Sequence, residues 1–465
     1  MTSVTCQRYF EREIQLSGDP LISVTRLASS GLHEDYAVYE NQGQWSFASG
    51  ALVEIWLDRS GACLRRGAET TLLPWDGAPL SQVRDLLARA PVAGWRAYGW
   101  AAFELAYAKD GDNSAIGDQR LLHLVVPHTE VRLQHGRALL RSADEKTLAA
   151  AAAVLLGETG ASRWEPSPVN VRLDGAGDYK RAVELAVREI DAHKFQKVIL
   201  SRVVPLEEGI DFVGTYVSGR RGNTPARSFL LHLGGIESAG FSPEIVIQVG
   251  RDGRVVSQPL AGTRALTQDP ARNERLRAEL LSDSKEVYEH AISVKTACDD
   301  LGAVCRPGSL SVEEFMAISE RGTVQHLASR VAGQLAAGRH AWDAFAAAFP
   351  AVTASGVPRD AACASIRIHE SKRGLYSGAV LTVDQDGSMD AALVLRAVYR
   401  QNGLTWLQAG AGIVGQSRPV REFEETCEKL DSVARFLVPA SRAGRVSGPA
   451  RTQHLPLCEL IGEDA

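Results

Sequence analysis

The chain has 465 residues, 45% of them hydrophobic and 23% charged, with a net charge of −5. That balance excludes a disordered or fibrous polymer, and charges of both signs mixed along the sequence offer neither a basic surface for nucleic acid nor a polybasic run for an anionic membrane. No apolar run approaches the roughly 20 residues that span a bilayer, and the first dozen residues lack a hydrophobic signal core; together these point to a cytoplasmic protein with a small-molecule partner.

Up to about residue 155 the pattern predicts strands over Trp45–Leu57 and His123–Leu133, then an alanine-rich helix over Thr147–Leu156, with nothing catalytic among them. From Gly157 to Gly177 the chain turns rich in Gly, Ser and Pro and periodicity lapses, which marks a boundary. The expected organisation is an N-terminal α+β region over 1–170 contributing to shared sheets, a catalytic region over 171–440, and a loosely held extension over 441–465.

Asp178 reads as the N-cap of a helix with Tyr179, Val183, Val187 and Ile190 on one face. Strand-like runs follow at Lys197–Val204, Ser228–Leu233, Glu244–Val249, Leu375–Val383, Ala391–Tyr399 and Thr405–Val414, interrupted by long helices near 272–302 and 419–438. Strands in runs, without strict βαβ alternation, predict an α+β fold with large, mainly antiparallel sheets flanked by helices. Seven cysteines, scattered and without CxxC spacing, read as reduced thiols, with Cys298 and Cys427 packing as small hydrophobes on helical stripes.

Two Glu-x-x-Glu pairs, Glu286/Glu289 and Glu422/Glu425, repeat one geometry. Val287, Ala291, Val294, Cys298 and Leu301 form an apolar stripe in the first helix, and Phe423, Cys427, Leu430, Ala434 and Leu437 form its equivalent in the second. At about 100° per residue, both glutamates of each pair fall on one flank of the stripe. Carboxylate oxygens suit Mg²⁺, which takes one or two of them directly and keeps water or a substrate group besides. Lys429 shares the flank of Glu422, whereas Glu424, Glu428, Asp431 and Arg435 read as a solvated face. On spacing alone metal ligation competes with a charged helix face, and Asp283-x-x-Glu286 with a capping box.

Lys197 opens an apolar strand, either as an end residue with its head in solvent or as a desolvated general base. Glu244 enters a strand after Phe241-Ser-Pro, as a strand-end carboxylate or as a general acid raised by burial. Glycine-bearing segments at Pro259–Arg264, Gly374–Gly378 and Ala409–Ile413 suit close approach of backbone N–H groups to a carboxylate, though each also reads as a turn or bulge. Arg396, between Leu395 and Ala397, demands an anionic partner or an escape to solvent. His326 reads as a satisfied core histidine or a substrate contact.

Segments from Asp178 to Pro439 resemble the chorismate-utilising family of anthranilate, aminodeoxychorismate, isochorismate and salicylate synthases, and most of all its mycobacterial-type salicylate synthases. The likeness rests on Lys197-Val-Ile-Leu-Ser-Arg, Gly240-Phe-Ser-Pro-Glu244, Pro259-Leu-Ala-Gly-Thr-Arg264, Ser284-Lys-Glu-Val-Tyr-Glu-His290, Phe349-Pro-Ala-Val-Thr353, Gly374-Leu-Tyr-Ser-Gly378 and Arg421-Glu-Phe-Glu-Glu-Thr-Cys-Glu-Lys429. The resemblance implies the anthranilate synthase component I-like fold and chorismate as substrate. It makes Glu289 and Glu425 direct Mg²⁺ ligands, supported by Glu286 and Glu422. It sets Tyr376, Arg396 and the backbone near Gly410 around the enolpyruvyl carboxylate, and Gly262, Thr263, His326 and Lys429 around the ring; Thr353 and Gly412 belong to the same substrate site. Family members that add ammonia commonly have glutamine where Lys197 stands, so lysine implies water as nucleophile and no glutaminase partner. The implied reaction is chorismate to isochorismate to salicylate plus pyruvate, for siderophore or related synthesis. Its rivals are an isochorismate synthase, an anthranilate synthase component and a non-catalytic chorismate-binding protein.

Overall fold

Alternate residues along the strands face opposite layers, as a period of two requires. In Arg96–Ala101, Ala97 and Ala101 pack to one side and Tyr98 and Trp100 to the other; in Ala379–Asp384, Ala379, Leu381 and Val383 oppose Val380. The computed structural model describes residues 8–111, 114, 116–157, 164–322 and 324–440. The predicted extension over 441–465, with Cys458, and also Cys6, lie outside the described residues.

All strand pairings among the described residues are antiparallel, as expected, and join into one network that folds as two sheets. The long strands Gln44–Asp58 and Leu122–Gln134 run through both sheets, with a register shift between Ala51 and Val53. One sheet continues from Gln44–Asp58 through Tyr36–Asn41, Arg227–Leu233, Ile236–Ser242, Ala397–Gln401 and Leu404–Ile413 to Lys197–Pro205. The other continues from Leu122–Gln134 through Arg96–Ala101, Ala379–Asp384, Met389–Leu393, Ile245–Val249 and Arg254–Ser257 to Val324–Gln334, which also pairs with Leu260–Ala265 and Ser311–Arg321. Strands from before and after the Gly, Ser and Pro-rich stretch therefore pair directly.

Among the described residues three large apolar clusters fill the layers, beside a small one of Ile245, Val256 and Ala332. One lies between the sheets, around Tyr98, Trp100, Phe229, Tyr376 and Tyr399. The other two lie under helices, with Val183, Tyr216, Cys427 and Leu430 outside the first sheet and Val83, Val294, Leu301 and Phe345 outside the second. Chain segments cross from one sheet to the other at two places that matter for the site. Ser242 ends a strand of the first sheet and Ile245 starts one of the second, with Pro243 and Glu244 between; Leu393 and Ala397 bracket the reverse crossing, which contains Arg396.

Several predicted boundaries are corrected. The helix placed at Asp178 spans Ala176–Asp191 and starts from Gly175 at φ 67°, so Asp178 lies in its first turn and is not the cap. The strand predicted over Ala391–Tyr399 is two strands, because Arg396 takes φ 53° where the chain changes sheets. Leu375–Gly378 forms a turn before the strand Ala379–Asp384, closed by the Gly378 N–H donating to the Leu375 carbonyl at 3.0 Å. The helix near 272–302 is likewise two, Pro270–Ser282 and Ser284–Gly302, with Asp283 ending one and capping the next. The last helix is Pro419–Ala434. No helix among the described residues is long and apolar enough to cross a membrane. Cys63, Cys298, Cys305, Cys363 and Cys427 are free thiols, and Cys298 is only half-buried.

Candidate active site

The two glutamate helices converge, but not by the predicted geometry. In Ser284–Gly302 the buried face is Glu286, Glu289, His290, Ser293, Val294, Ala297 and Leu301, whereas Val287, Ala291 and Cys298 are half-buried. The glutamates thus occupy the inner face itself, and the apolar stripe is displaced toward its edge. In Pro419–Ala434, Glu422 and Glu425 are buried beside Phe423, Cys427 and Leu430, as the stripe requires. On the opposite face Glu424 pairs with Arg172 and Glu428 with Arg421.

Burying four carboxylates is costly unless each is paired, and lysines pair them. Lys197 Nζ lies 3.1 Å from Glu289 Oε1 and Lys429 Nζ 2.7 Å from Glu425 Oε1. Lys285, which sequence reasoning passed over, stands between the pairs: its Nζ is 3.5 Å from Glu286 and from Glu289 and 3.4 Å from Glu422. Its spacing of four from Glu289 was the available signal. Asp283 does cap the helix, accepting from the Lys285 and Glu286 N–H groups. Glu286 does not close a box; it accepts from the Thr263 N–H at 3.2 Å and from Arg264 at 3.0 Å.

Charge separates the four acids. Burial pushes the Glu289 carboxyl up, but Lys197 and Lys285 outweigh it and hold it below the usual range; burial of Glu425 is outweighed by Lys429 and Lys285 in the same way. For Glu286 and Glu422 burial wins, and Glu422 is pushed up to about 7.

A cavity lies at the two sheet crossings, with about 630 Å³ of empty space that includes its opening to solvent. The structure brings Glu244, Gly262, Thr263, Glu289, His326, Thr353, Tyr376, Arg396, Gly410, Gly412, Glu425 and Lys429 together on its wall. Lys197, Glu286 and Glu422 are not on that wall. Lys197 is wholly buried, so its head does not reach solvent; its amine lies against Glu289.

Glu244 is buried with its oxygens fixed by the Leu260 N–H at 2.8 Å and the Thr353 hydroxyl at 3.0 Å, and burial pushes its carboxyl up to about 7. His326 Nδ1 faces the Thr263 hydroxyl at 3.0 Å, while Nε2 has no partner among the described residues; burial pulls the ring down to about 3, so it is neutral. Burial pulls Arg396 down to about 10, and its guanidinium has no ion pair among the described residues. An arginine so placed awaits an anion. Lys429 also donates to the Gly410 carbonyl at 2.9 Å, tying the helix to the cavity strand.

Gly412 leaves room for the Glu289 carboxylate. A Cβ there would stand 2.0 Å from Glu289 Oε1, and one at Gly410 would meet the Leu200 carbonyl at 2.5 Å and the Tyr376 hydroxyl at 2.9 Å. Gly412→Ala is expected to displace Glu289 and reduce kcat/KM by on the order of 100-fold, as misplacement by about 1 Å does, with the circular dichroism spectrum unchanged.

The donor set fits a hard divalent cation: carboxylate oxygens, of which Glu422 Oε2 and Glu425 Oε2 are buried without a hydrogen-bond partner among the described residues. Among the described residues no three acidic, imidazole or thiol groups already converge as a ready-made metal cluster. Lysines hold the carboxylates where they are.

Known proteins resemble this chain in sequence and fold. The family model described as chorismate binding enzyme matches residues 35–435. A salicylate synthase of Mycolicibacterium paratuberculosis is 41% identical over 414 residues, covering 87% of this chain and 90% of that protein. Anthranilate synthase component 1 of Geobacillus stearothermophilus is 33% identical over 76% of this chain and 71% of its own length. Among solved structures, anthranilate synthase component I from Streptococcus pneumoniae aligns with a TM-score of 0.72 at 25% identity, over 86% of this chain and 92% of its own. The menaquinone-specific isochorismate synthase from Escherichia coli aligns with a TM-score of 0.68 at 21% identity, over 92% and 95%, a likeness of fold.

Proposed function

The chain belongs to the chorismate-binding enzyme family, and from that premise we propose that it is a magnesium-dependent salicylate synthase, taking chorismate through isochorismate to salicylate and pyruvate. The observation that carries the reading is a buried carboxylic acid on the cavity wall, Glu244 poised near 7, and a buried amine just behind that wall, Lys197 against the wall residue Glu289. Water addition needs a base for the nucleophile and an acid for the leaving hydroxyl; ammonia would need no base. The resemblance of the sequence to a salicylate synthase over most of both chains supports the same choice.

Lys197 takes a proton from the water whose oxygen bonds to C2 of chorismate. The ring double bonds shift, and the C4 hydroxyl departs as water with the proton of Glu244. Arg396, with no ion pair among the described residues, receives the enolpyruvyl carboxylate alongside Tyr376 and the Gly410 backbone, while Thr263, neutral His326 and Lys429 flank the ring. Glu289 and Glu425 would hold a Mg²⁺ ion directly, with Glu286 and Glu422 behind them, and when bound that ion supplies charge stabilisation and orientation at the ring carboxylate. Loss of pyruvate then moves hydrogen from C2 to the enolpyruvyl group. That step asks of the protein chiefly a held conformation. The same reading places the enzyme in the cytoplasm, supplying salicylate for siderophore-type synthesis without a glutaminase partner.

The test is to incubate the purified protein with chorismate and Mg²⁺. Salicylate fluorescence and pyruvate are expected to rise together, and both are expected to stop with a chelator and return with added Mg²⁺. Isochorismate accumulating without pyruvate would make the protein an isochorismate synthase. Chorismate bound but unchanged would remove the enzymatic reading.

A further inference from the structure

Lys197 is fixed at its backbone. Val357 pairs with it across the sheet, the Gln196 N–H donates to the Val357 carbonyl at 2.7 Å, and Gly356 approaches so closely that a Cβ there would lie 2.2 Å from the Lys197 carbonyl oxygen. Beyond Cα, however, a lysine has a four-carbon stem whose free rotation would leave the amine undirected. Two groups on one turn of Ser284–Gly302 remove that freedom. Glu289 Oε1 is 3.1 Å from Nζ, and Ser293 Oγ is 2.9 Å from it.

The serine's part follows from its proton. Its hydroxyl donates to the Glu289 carbonyl, one turn back, at 2.8 Å. It is fully buried, and a buried hydroxyl must be satisfied; that back-bond is the usual way a helix accommodates serine. With its hydrogen spent, Ser293 offers Lys197 only lone pairs, and the Glu289 carboxylate offers the same. These two acceptors take two of the three positions about Nζ, so the third, where a proton is exchanged with water, is confined to the remaining tetrahedral direction and is not occupied by either neighbour. Glu289 also faces the cavity and is shared with the metal reading; Ser293 serves the lysine and its own helix.

We infer that Ser293 is a positioning residue for water addition, acting through Lys197 by fixing the direction of the third position on the amine nitrogen. The inference rests on Lys197 being the base of the proposed reaction. It separates the two half-reactions: proton removal from water depends on Ser293, whereas pyruvate loss from isochorismate, which needs no base, does not.

The experiment compares the wild type, Ser293→Ala and Ser293→Thr as full-length protein with Mg²⁺, each given chorismate and, separately, isochorismate. For Ser293→Ala, kcat on chorismate is expected to fall on the order of 10–100-fold with KM within about twofold. Its turnover of isochorismate should stay within about twofold of the wild type. Threonine keeps the hydroxyl and the bond to the carbonyl four residues back, and is expected to restore most of the chorismate activity. Equal losses on both substrates in Ser293→Ala, at unchanged circular dichroism, would make the serine structural and overturn the inference. So would undiminished activity on chorismate, or failure of a well-folded Ser293→Thr to recover. A wild type that turns over neither substrate would instead sink the proposed reaction, so the two failures are distinguishable.

Discussion

Lys197→Gln is expected to lower the conversion of chorismate by about 10²- to 10⁴-fold, the span that a positioned acid or base contributes, while the protein stays folded. Glutamine keeps a polar head of similar reach but has no basic nitrogen, so water at C2 loses its proton acceptor. The fold should survive because Glu289, deprived of Lys197, still has Lys285 at 3.5 Å, and Ser293 still has its own helix carbonyl. Removing one partner of a buried pair nevertheless costs stability, so a lower melting temperature is part of the expected result. Isochorismate supplied directly should still be converted, since pyruvate loss does not use the amine. The check is rapid-quench product analysis with each substrate. Undiminished salicylate from chorismate would remove Lys197 from the chemistry.

The sequence made much of this site readable because chemistry and periodicity coincided. Glu286, Glu289, Glu422 and Glu425 stood out because the same spacing occurred twice beside apolar residues, and the helices do bury them. The strands Lys197–Pro205 and Leu404–Ile413 were legible from their β-branched and apolar runs. What could not be read was set by contacts distant in sequence. The face that Ser284–Gly302 buries is chosen by carboxylates meeting Lys197 and Lys285, a choice that an apolar stripe does not encode. Arg396 lay within a strand-like run, yet the chain changes sheets there and takes a left-handed turn. Lys285 was passed over because its three partners come from two helices more than a hundred residues apart. Ser293 carried no motif; only the position of Lys197 gives it a task.

Glu244→Gln should match the lysine variant in size and differ in its dependence on pH. Glu244 acts as an acid, so it must be protonated, and with its carboxyl near 7 in place of the ordinary 4.5 it is largely protonated below neutrality. Activity on chorismate is therefore expected to decline as pH rises through about 7, and this decline should vanish from the residual activity of the variant. Glutamine fits the existing contacts: its oxygen accepts from the Leu260 N–H and its amide faces the Thr353 hydroxyl, which accepts as readily as it donates. Stability gives an independent check of sign. A carboxyl raised in the folded state lends stability that is complete below about 4.5 and is lost as pH rises through about 7, where burial of the charge works against the fold. The neutral amide has no such loss. The melting temperature of the variant relative to wild type should therefore rise between pH 5 and pH 8, and a difference that stays flat across that range would mean that Glu244 titrates as an ordinary carboxylate and is not the acid.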